Sequence, residues 1–302
     1  MEIIADSLDF QLNRETAVAI GKFDGVHVGH RRLLEEILAK KQEGLEACVF
    51  TFDISPAVLF GKSDGKVLTT REEKRRIFKE LGVDILVEFP MTLESAAIPA
   101  EDFARRYLSE ALCASFIAAG DDLSFGQYGK GNAMMLRRLS GELGFEVKTI
   151  SKVCIDGQEV SSTYIRSLVE QGEMEKVALY LGESFCVEGT IVHGRHMGHS
   201  LGFPTLNLIP AKDKILPPFG VYKSLVRDGE KLYRGISNVG KKPTVGEEEQ
   251  TGVETFLYDF GGDLYGREVI VHLHHFMRPE MKFESLDALK AQISSDVQAG
   301  LL

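Results

Sequence analysis

The sequence predicts a parallel α/β domain over residues 1–183 and an antiparallel β domain over residues 184–302. In the first half, apolar strands alternate with amphipathic helices, and this alternation requires crossover connections and a sheet covered on both faces. In the second half, short strand-like runs are separated by turn signals such as Asp228-Gly229 and Gly261-Gly262. Runs of this length and spacing are typical of a compact antiparallel barrel or sandwich.

The elements follow from local patterns. Leu33, Leu34, Ile37 and Leu38 share one helical face, and Thr70 marks the start of another helix. The predicted strands of the first half are residues 16–23, 46–52, 83–89 and 114–120, and its predicted helices are residues 29–42, 69–82, 99–112 and 161–182. The predicted strands of the second half are residues 185–194, 220–229, 230–240, 253–260 and 268–276, before a helical tail at 285–302.

Composition limits the class of protein. The chain is 44% hydrophobic and 26% charged, as ordinary globular proteins are, and its net charge is −10. A negative charge disfavours a nucleic-acid backbone as partner. No apolar run is long enough to span a membrane, the N-terminus lacks a signal-peptide pattern, and the four cysteines form no C-x-x-C pair. We expect a cytoplasmic protein that acts on small molecules; its oligomeric state is not predicted.

The stretch GKFDGVHVGH, residues 21–30, joins a predicted strand to a predicted helix. Ligands of open α/β sheets bind at the carboxyl ends of strands, and a helix N-terminus favours phosphate. Glycines allow the backbone to approach a ligand closely. His27 and His30 would add donors there, and a neighbouring phosphate would favour their protonated form. The stretch therefore predicts a nucleotide site.

Two other interpretations are open. H-x-x-H supplies only two zinc ligands, whereas a zinc site needs three or four from the protein, and His272, His274 and His275 are distant in sequence. A tight turn with surface histidines would need fewer glycines.

The stretch resembles the G-x-F-D-G-x-H-x-G-H signature of nucleotidyltransferases, most closely that of the bacterial bifunctional riboflavin kinase/FMN adenylyltransferase family. The resemblance implies a Rossmann-like nucleotidyltransferase domain. It implies ATP or phosphate binding by the motif residues Gly21, Phe23, Asp24, Gly25 and Gly29, and charge stabilisation by His27 and His30.

Two further segments of the first half support the resemblance. AAGDDLSFGQYGKGN is similar to the segment that seats the flavin nucleotide, which implies Asp121, Asp122, Phe125 and Gly126 as flavin-binding residues. VSSTYIRSLVEQGEMEKVALYLG resembles the second adenylyltransferase motif. Its Ser161, Ser162 and Thr163 are good helix caps that would bind phosphate, and Arg166 in the first helical turn could reach a triphosphate.

The second half resembles riboflavin kinase, which implies a barrel. GTIVHGRHMGHSLGFPTLNL contains its G-F-P-T-x-N pattern. The resemblance implies that Thr205 and Asn207 bind Mg²⁺, that Glu254 is the general base, and that Gly189, Gly194 and Gly198 cover the phosphates. The alternative is that Thr205 and Asn207 are turn residues and Glu254 is a solvent-facing strand residue.

The resemblance implies conversion of riboflavin to FMN and of FMN to FAD, each with ATP. Four residues depart from the family pattern: Ser55 stands at a common histidine, Leu123 at a common phenylalanine, His199 at a common arginine and Phe256 at a frequent histidine. The first two departures fall in the adenylyltransferase half. They motivate an alternative, a flavin- or nucleotide-binding or regulatory protein in which that half is degenerate. A nucleotidyltransferase for another substrate is a further alternative, against which the kinase-like half argues.

Overall fold

The structure is a computed structural model that describes residues 1–193, 202–243 and 249–301. The chain forms two compact units, Met1–Ser162 and Thr163–Leu302. Residues 163–183, which the sequence analysis assigned to the first domain, group with the second unit by their contacts. The domain boundary between residues 183 and 184 stays a prediction.

The first unit contains a six-stranded sheet in the order β1-β4-β3-β2-β5-β6, and every neighbouring pair is parallel. The strands are β1 (Glu2–Ala5), β2 (Thr16–Ile20), β3 (Glu46–Phe52), β4 (Ile85–Phe89), β5 (Ala114–Gly120) and β6 (Glu146–Ile150). The order reverses between β2 and β5: β3 and β4 lie on one side of this pair and β6 on the other. The predicted parallel α/β fold is confirmed.

Helices cover both faces of the sheet. The helices of this unit are α1 (Val28–Ala39), α2 (Pro56–Leu59), α3 (Arg71–Glu80), α4 (Leu93–Ala96), α5 (Ala100–Phe103) and α6 (Ala133–Leu143), with short 3₁₀ turns at Lys40–Glu43 and Gln127–Gly129 and a small hairpin of β7 (Cys154–Ile155) and β8 (Gln158–Glu159). One apolar cluster contains Phe50, Phe89 and Tyr107, and the other contains Phe23 and Phe78. Burial of these two clusters is the main stabilising contribution to the unit.

One predicted helix differs in type. Residues 99–112 form α5 and then a π-helix at Ala104–Ala111. The wider turn places Tyr107, which is 1% exposed, against Phe89 with ring centroids 4.7 Å apart. The apolar periodicity of the sequence does not distinguish a π-turn from an α-turn over eight residues.

The boundary between the units falls after the first residue of α7 (Ser162–Gln171), and the second unit continues with α8 (Met174–Leu181). A closed antiparallel barrel follows in the order β10-β13-β12-β11-β14-β9. Of the two predicted architectures, barrel and sandwich, the second half therefore has the barrel. Its strands are β9 (Cys186–Val192), β10 (Thr205–Leu208), β11 (Gly220–Asp228), β12 (Lys231–Pro243), β13 (Glu249–Leu257) and β14 (Glu268–Pro279), and the last helix is α9 (Leu286–Leu301).

The C-terminal helix is fixed to the barrel by a buried ion pair. Arg278 of β14 donates from Nε and Nη2 to the carboxylate of Asp296, which is 7% exposed. Tyr258 Oη donates to the carbonyl of Val297 at 2.6 Å. Breaking one partner of such a pair leaves a buried charge uncompensated, so this contact holds α9 in one position.

Candidate functional site

The nucleotide motif lies where the strand order reverses. Residues 21–27 leave the carboxyl end of β2, and residues 121–126 leave the carboxyl end of the adjacent β5. Crevices for ligands form at this position in open α/β sheets because the connections from the two strands diverge to opposite sides. The structure therefore brings the predicted nucleotide loop and the predicted flavin segment to one edge of one sheet.

The motif loop has an unusual backbone. Phe23 and Val26 have positive φ angles of 51° and 42°, and both are 0% exposed. Left-handed backbone is rare for bulky or β-branched residues and costs about 1–3 kcal/mol per residue unless surrounding packing enforces it. The Phe23 ring supplies such packing, with its centroid 5.5 Å from that of Phe78 and 5.0 Å from that of His30. The loop is thus held rigidly where a ligand would bind.

His27 is the N-cap of α1. Its Nδ1 accepts the backbone N–H of His30 at 3.2 Å, and the two imidazole rings stack with centroids 3.6 Å apart. A Cβ on Gly29 would lie 3.2 Å from the His27 ring, so glycine leaves the room that the ring occupies. Because Nδ1 is the acceptor of the cap, the neutral ring carries its proton on Nε2. His27 is therefore oriented as an Nε2–H donor.

Both histidines are neutral in the unliganded protein. Burial lowers the pKa of His27 to about 4, and the nearby Asp122 carboxylate partly opposes this shift. Burial, together with the charges of His27 and Lys74, lowers the pKa of His30 well below its usual value. The expected protonation beside a phosphate therefore requires the phosphate to be present, because the protein alone favours the uncharged rings.

Asp24 accepts hydrogen bonds that fix the position of the motif loop. Its Oδ1 accepts the backbone N–H groups of Leu68 at 2.8 Å and Thr69 at 3.3 Å. Its carbonyl accepts the hydroxyl of Ser162 at 2.8 Å. Asp24 thus joins the motif loop to the segment before α3 and to Ser162, the last residue of the first unit. Sequence reasoning missed Leu68 and Thr69, since no local pattern indicates a partner more than forty residues away.

The zinc interpretation gains no support from this geometry. Two imidazoles that stack face to face do not direct their nitrogen lone pairs at one point. In the part of the chain that the structure describes, no three His, Cys, Asp or Glu side chains are grouped to hold a metal ion.

The second adenylyltransferase motif is the start of α7. Ser161 immediately precedes the helix, and Ser162 and Thr163 are its first two residues. Arg166 is its fifth residue and lies in the second turn, so the expectation that it lies in the first turn is wrong. It is partly buried and belongs to the second unit, whereas His27 and His30 belong to the first.

The predicted flavin segment contains exposed and buried members. Asp121 and Asp122 are exposed, and Lys152 Nζ lies 3.5 Å from the Asp122 carboxylate. Phe125 is 3% exposed and packs on Phe103 with ring centroids 5.6 Å apart. Gly126 has φ +68°, and a Cβ there would lie 2.5 Å from the Cα of Ala100. Phe125 and Gly126 therefore anchor the segment, and the two aspartates are its accessible members.

The two departures from the family pattern in the adenylyltransferase half, Ser55 and Leu123, have local structural roles. Ser55 is the N-cap of α2, where its hydroxyl accepts the N–H of Val58 at 3.3 Å. Leu123 is partly buried and packs against the apolar cluster that contains Phe125.

In the barrel, the predicted kinase residues lie on adjacent strands. Asn207 pairs with Glu254 in register across β10 and β13, and the Thr205 hydroxyl donates to Glu254 Oε1 at 2.5 Å. Asn207 is 8% exposed and Glu254 is partly buried. Thr205 and Asn207 are strand residues, so the interpretation of them as turn residues is wrong. Glu254 is also a strand residue, and it is partly exposed between the buried Val253 and Thr255.

The predicted phosphate-covering glycines are only partly described. Gly189 lies in β9, where a Cβ would be 3.2 Å from the carbonyl oxygen of Ile209. Gly194 and Gly198 lie outside the described residues. Val192, the last residue of β9, pairs with Asn207.

The chain combines a Rossmann-like sheet, with a nucleotide loop at its switch point, and a barrel with a hydroxyl–carboxylate pair. This combination is that of a two-domain transferase. Residues 9–164 match the FAD synthetase family and residues 181–301 match the riboflavin kinase family. The chain belongs to the bifunctional riboflavin kinase/FMN adenylyltransferase family, and it forms FMN from riboflavin and FAD from FMN.

Individual relatives align with this chain over most of their length. The bifunctional riboflavin kinase/FMN adenylyltransferase of Listeria monocytogenes is 33% identical over 286 residues, covering 93% of this chain and 90% of that protein. That of Escherichia coli is 36% identical over 282 residues, covering 92% and 90%. A crystal structure titled as a macrolide-efflux protein from Streptococcus pneumoniae is 29% identical and covers 99% of both chains with a TM-score of 0.88. Among the described residues, no helix has the length and apolar character to cross a membrane.

Proposed function

We propose that adenylyl transfer to FMN occurs at the switch point of the α/β unit and that phosphorylation of riboflavin occurs at the Thr205–Glu254 pair of the barrel. The observation that carries the first assignment is the His27–His30 stack. A buried, oriented donor at a helix N-terminus suits the oxygens of a polyphosphate. The second assignment rests on a carboxylate that accepts a hydroxyl hydrogen bond between two strands.

In the adenylyltransferase site, an FMN phosphate oxygen attacks the α-phosphorus of ATP, and the bond to pyrophosphate breaks. No protein nucleophile is needed. The Nε2–H of His27 donates to the phosphates, and His30 stabilises the charge that develops in the transition state. Gly21, Gly25 and Gly29 let the backbone approach the nucleotide, while Phe23 and Asp24 hold the loop in shape.

Further residues take part in adenylyl transfer in our proposal. Asp121 and Asp122 bind the flavin nucleotide, and Phe125 and Gly126 keep their segment in place against α5. Ser161, Ser162, Thr163 and Arg166 bind the ATP phosphates from the start of α7, where a guanidinium can pair with two phosphate oxygens.

In the kinase site, Glu254 takes the proton from the terminal ribityl hydroxyl of riboflavin as that oxygen attacks the γ-phosphorus of ATP and ADP leaves. The carboxylate already accepts a hydroxyl hydrogen bond from Thr205, so it is oriented toward a hydroxyl donor. We propose that Gly189, Gly194 and Gly198 belong to the segment that covers the phosphates.

Magnesium fits the donor set of the kinase site. The Thr205 hydroxyl and the Asn207 amide offer hard oxygen ligands, and Mg²⁺ usually binds through few protein ligands, waters and substrate phosphates. Thr205 and Asn207 would hold the ion, which would neutralise charge on the phosphates when bound. We also propose that the protein works in the cytoplasm on small molecules and does not bind nucleic acid, since its net charge is −10.

Chromatography of the products from riboflavin, ATP and Mg²⁺ tests the proposal. FMN and FAD together are expected from the wild-type chain. FMN without FAD, even when FMN is supplied, would favour the alternative of a degenerate adenylyltransferase half. Because the two sites are separate, His30→Ala should abolish FAD formation only, and Glu254→Ala should abolish FMN formation only. Loss of both activities in either folded variant would contradict the two-site assignment.

A further inference from the structure

Helix α3 is fixed against the nucleotide loop at two points. Before the helix, Leu68 and Thr69 donate backbone N–H groups to Asp24. Further along the helix, the ring of Phe78 packs edge-on against the ring of Phe23, which in turn contacts His30. A buried capping box between Thr70 and Glu73, whose side chain is 1% exposed, fixes the first turn. The helix therefore has one position relative to residues 23–30.

Lys74 lies between these two contacts. It is the fourth residue of α3, one turn before Phe78, and residues four apart share a helix face. Side chains of a helix incline toward its N-terminus, so Lys74 extends from the Phe78–Phe23 contact toward the Asp24 contact. Both contacts belong to the nucleotide loop. Lys74, which is partly buried, thus shares a helix face with the residue that packs on that loop.

Two properties of His30 indicate what Lys74 does there. The charge of Lys74 is close enough to contribute to the lowered pKa of His30, after burial and the charge of His27. His30 Nδ1 is also buried, with no hydrogen-bond partner among the described residues. A buried polar atom without a partner is destabilising, and a hydrogen bond from Nδ1–H to a ligand oxygen would remove that destabilisation. The site therefore combines an unsatisfied ring nitrogen, uncharged histidines and the ammonium group of Lys74.

We propose that Lys74 is a phosphate-binding residue of the adenylyltransferase site and supplies a fixed positive charge to the ATP triphosphate. This inference rests on the proposed function of the site. The motif GKFDGVHVGH holds the donors, and the charge of Lys74 is added from a helix that begins more than forty residues later. Such a charge acts on ground state and transition state alike, since the triphosphate is anionic throughout.

Substitution of Lys74 gives the first test, with the riboflavin kinase reaction of the same chain as the control for folding. In Lys74→Met, the KM for ATP in FAD formation should rise about tenfold or more, because a charge-assisted contact is lost. FMN formation should stay at the wild-type rate. Lys74→Arg should keep most of the activity. Lys79→Met, on the exposed last turn of α3, is the matched control. Equal ATP kinetics of Lys74→Met and Lys79→Met would overturn the proposal.

A second test uses the unmodified chain. An amine-reactive reagent is applied with and without Mg²⁺-ATP, and labelling at Lys74 and Lys79 is measured by peptide mass spectrometry. ATP should slow labelling of Lys74 and leave Lys79 unchanged. Protection of Lys74 in a protein that makes no FAD would support this inference while the proposed function fails. FAD formation without protection of Lys74 would overturn the inference alone.

Discussion

At the scale of single residues, His27 combines two roles that are usually separate. Its Nδ1 caps a helix, and the cap determines that Nε2 carries the proton. Protonation of Nδ1 would remove the acceptor and end the cap. The donor geometry of the site is therefore part of the local folding of α1, and the stack on His30 adds packing to the same contact.

The two roles of His27 can be separated by substitution. Asparagine is a good N-cap residue, so His27→Asn should keep the free energy of unfolding at pH 8 within about 0.5 kcal/mol of wild type. His27→Ala should lose about 1 kcal/mol, because the cap is gone. Neither variant retains the imidazole donor, so both should lose FAD formation. Denaturant unfolding and product analysis measure the two effects, and FAD formation at the wild-type rate by His27→Asn would contradict the role of the ring.

Glu254 permits a similar separation in the barrel. Glu254→Gln keeps an oxygen that can accept the Thr205 hydroxyl, so the strand pairing of β10 and β13 should persist. The amide cannot take a proton, and FMN formation should fall about 10²–10⁴-fold. FAD formation from supplied FMN should be unchanged. Thr205→Ser, which keeps the hydroxyl, is the control. A kinase rate in Glu254→Gln close to that of Thr205→Ser would exclude Glu254 as the base.

At the scale of elements, the sequence predicted those that periodicity and caps define. The strands that carry the site, β2 and β5, were predicted because each is a short apolar run, and the Thr70 cap of α3 was predicted from its side chain. The strand β10 was missed because four residues beside a G-F-P turn show little alternation. The Asp24 contacts were not predictable, since they depend on how distant segments pack. The sequence did not predict the π-helix, because its period differs little from that of an α-helix.

The flavin segment provides a test of packing between elements. At Gly126 the left-handed backbone and the 2.5 Å approach of Ala100 exclude any side chain, so Gly126→Ala must move the segment from α5. We expect a loss of FAD formation and a stability loss of more than about 1 kcal/mol, with FMN formation intact. Gly141→Ala is the control. Nothing lies within 4 Å of a Cβ at this position in α6, and alanine there should add up to about 1 kcal/mol of stability. Normal FAD formation by Gly126→Ala would show that the segment is not part of the site.

At the scale of the whole molecule, an acidic chain binds anionic nucleotides through local arrangements. With a net charge of −10, the average field repels ATP. Oriented neutral donors avoid the need for many cations, because a histidine N–H or a helix N-terminus contributes without adding fixed charge. The lowered pKa values of His27 and His30 follow from this design: the rings are kept uncharged by burial until a phosphate enters.

The same burial makes the stability of the α/β unit depend on pH. In the unfolded chain His27 has its ordinary pKa near 6.5, and in the folded protein the pKa is about 4. Between these values the unfolded state binds more protons, so stability is full above about pH 6.5 and is lost as the pH falls toward about 4. At about 1.4 kcal/mol per pKa unit, His27 alone accounts for a loss of about 3 kcal/mol, and His30 acts in the same direction.

The His27→Asn variant isolates this dependence, because it has no titrating ring at the position but keeps a cap. At pH 8 the two proteins should have similar stability, and near pH 4.5 the variant should be the more stable one. Hydrogen exchange of the amides of β2 and β5 measures the opening of this unit, and comparison at each pH cancels the intrinsic exchange rate. If wild type and His27→Asn lose protection in parallel from pH 8 to pH 4.5, His27 is not held neutral in the folded state, and its assignment as an oriented Nε2–H donor is wrong.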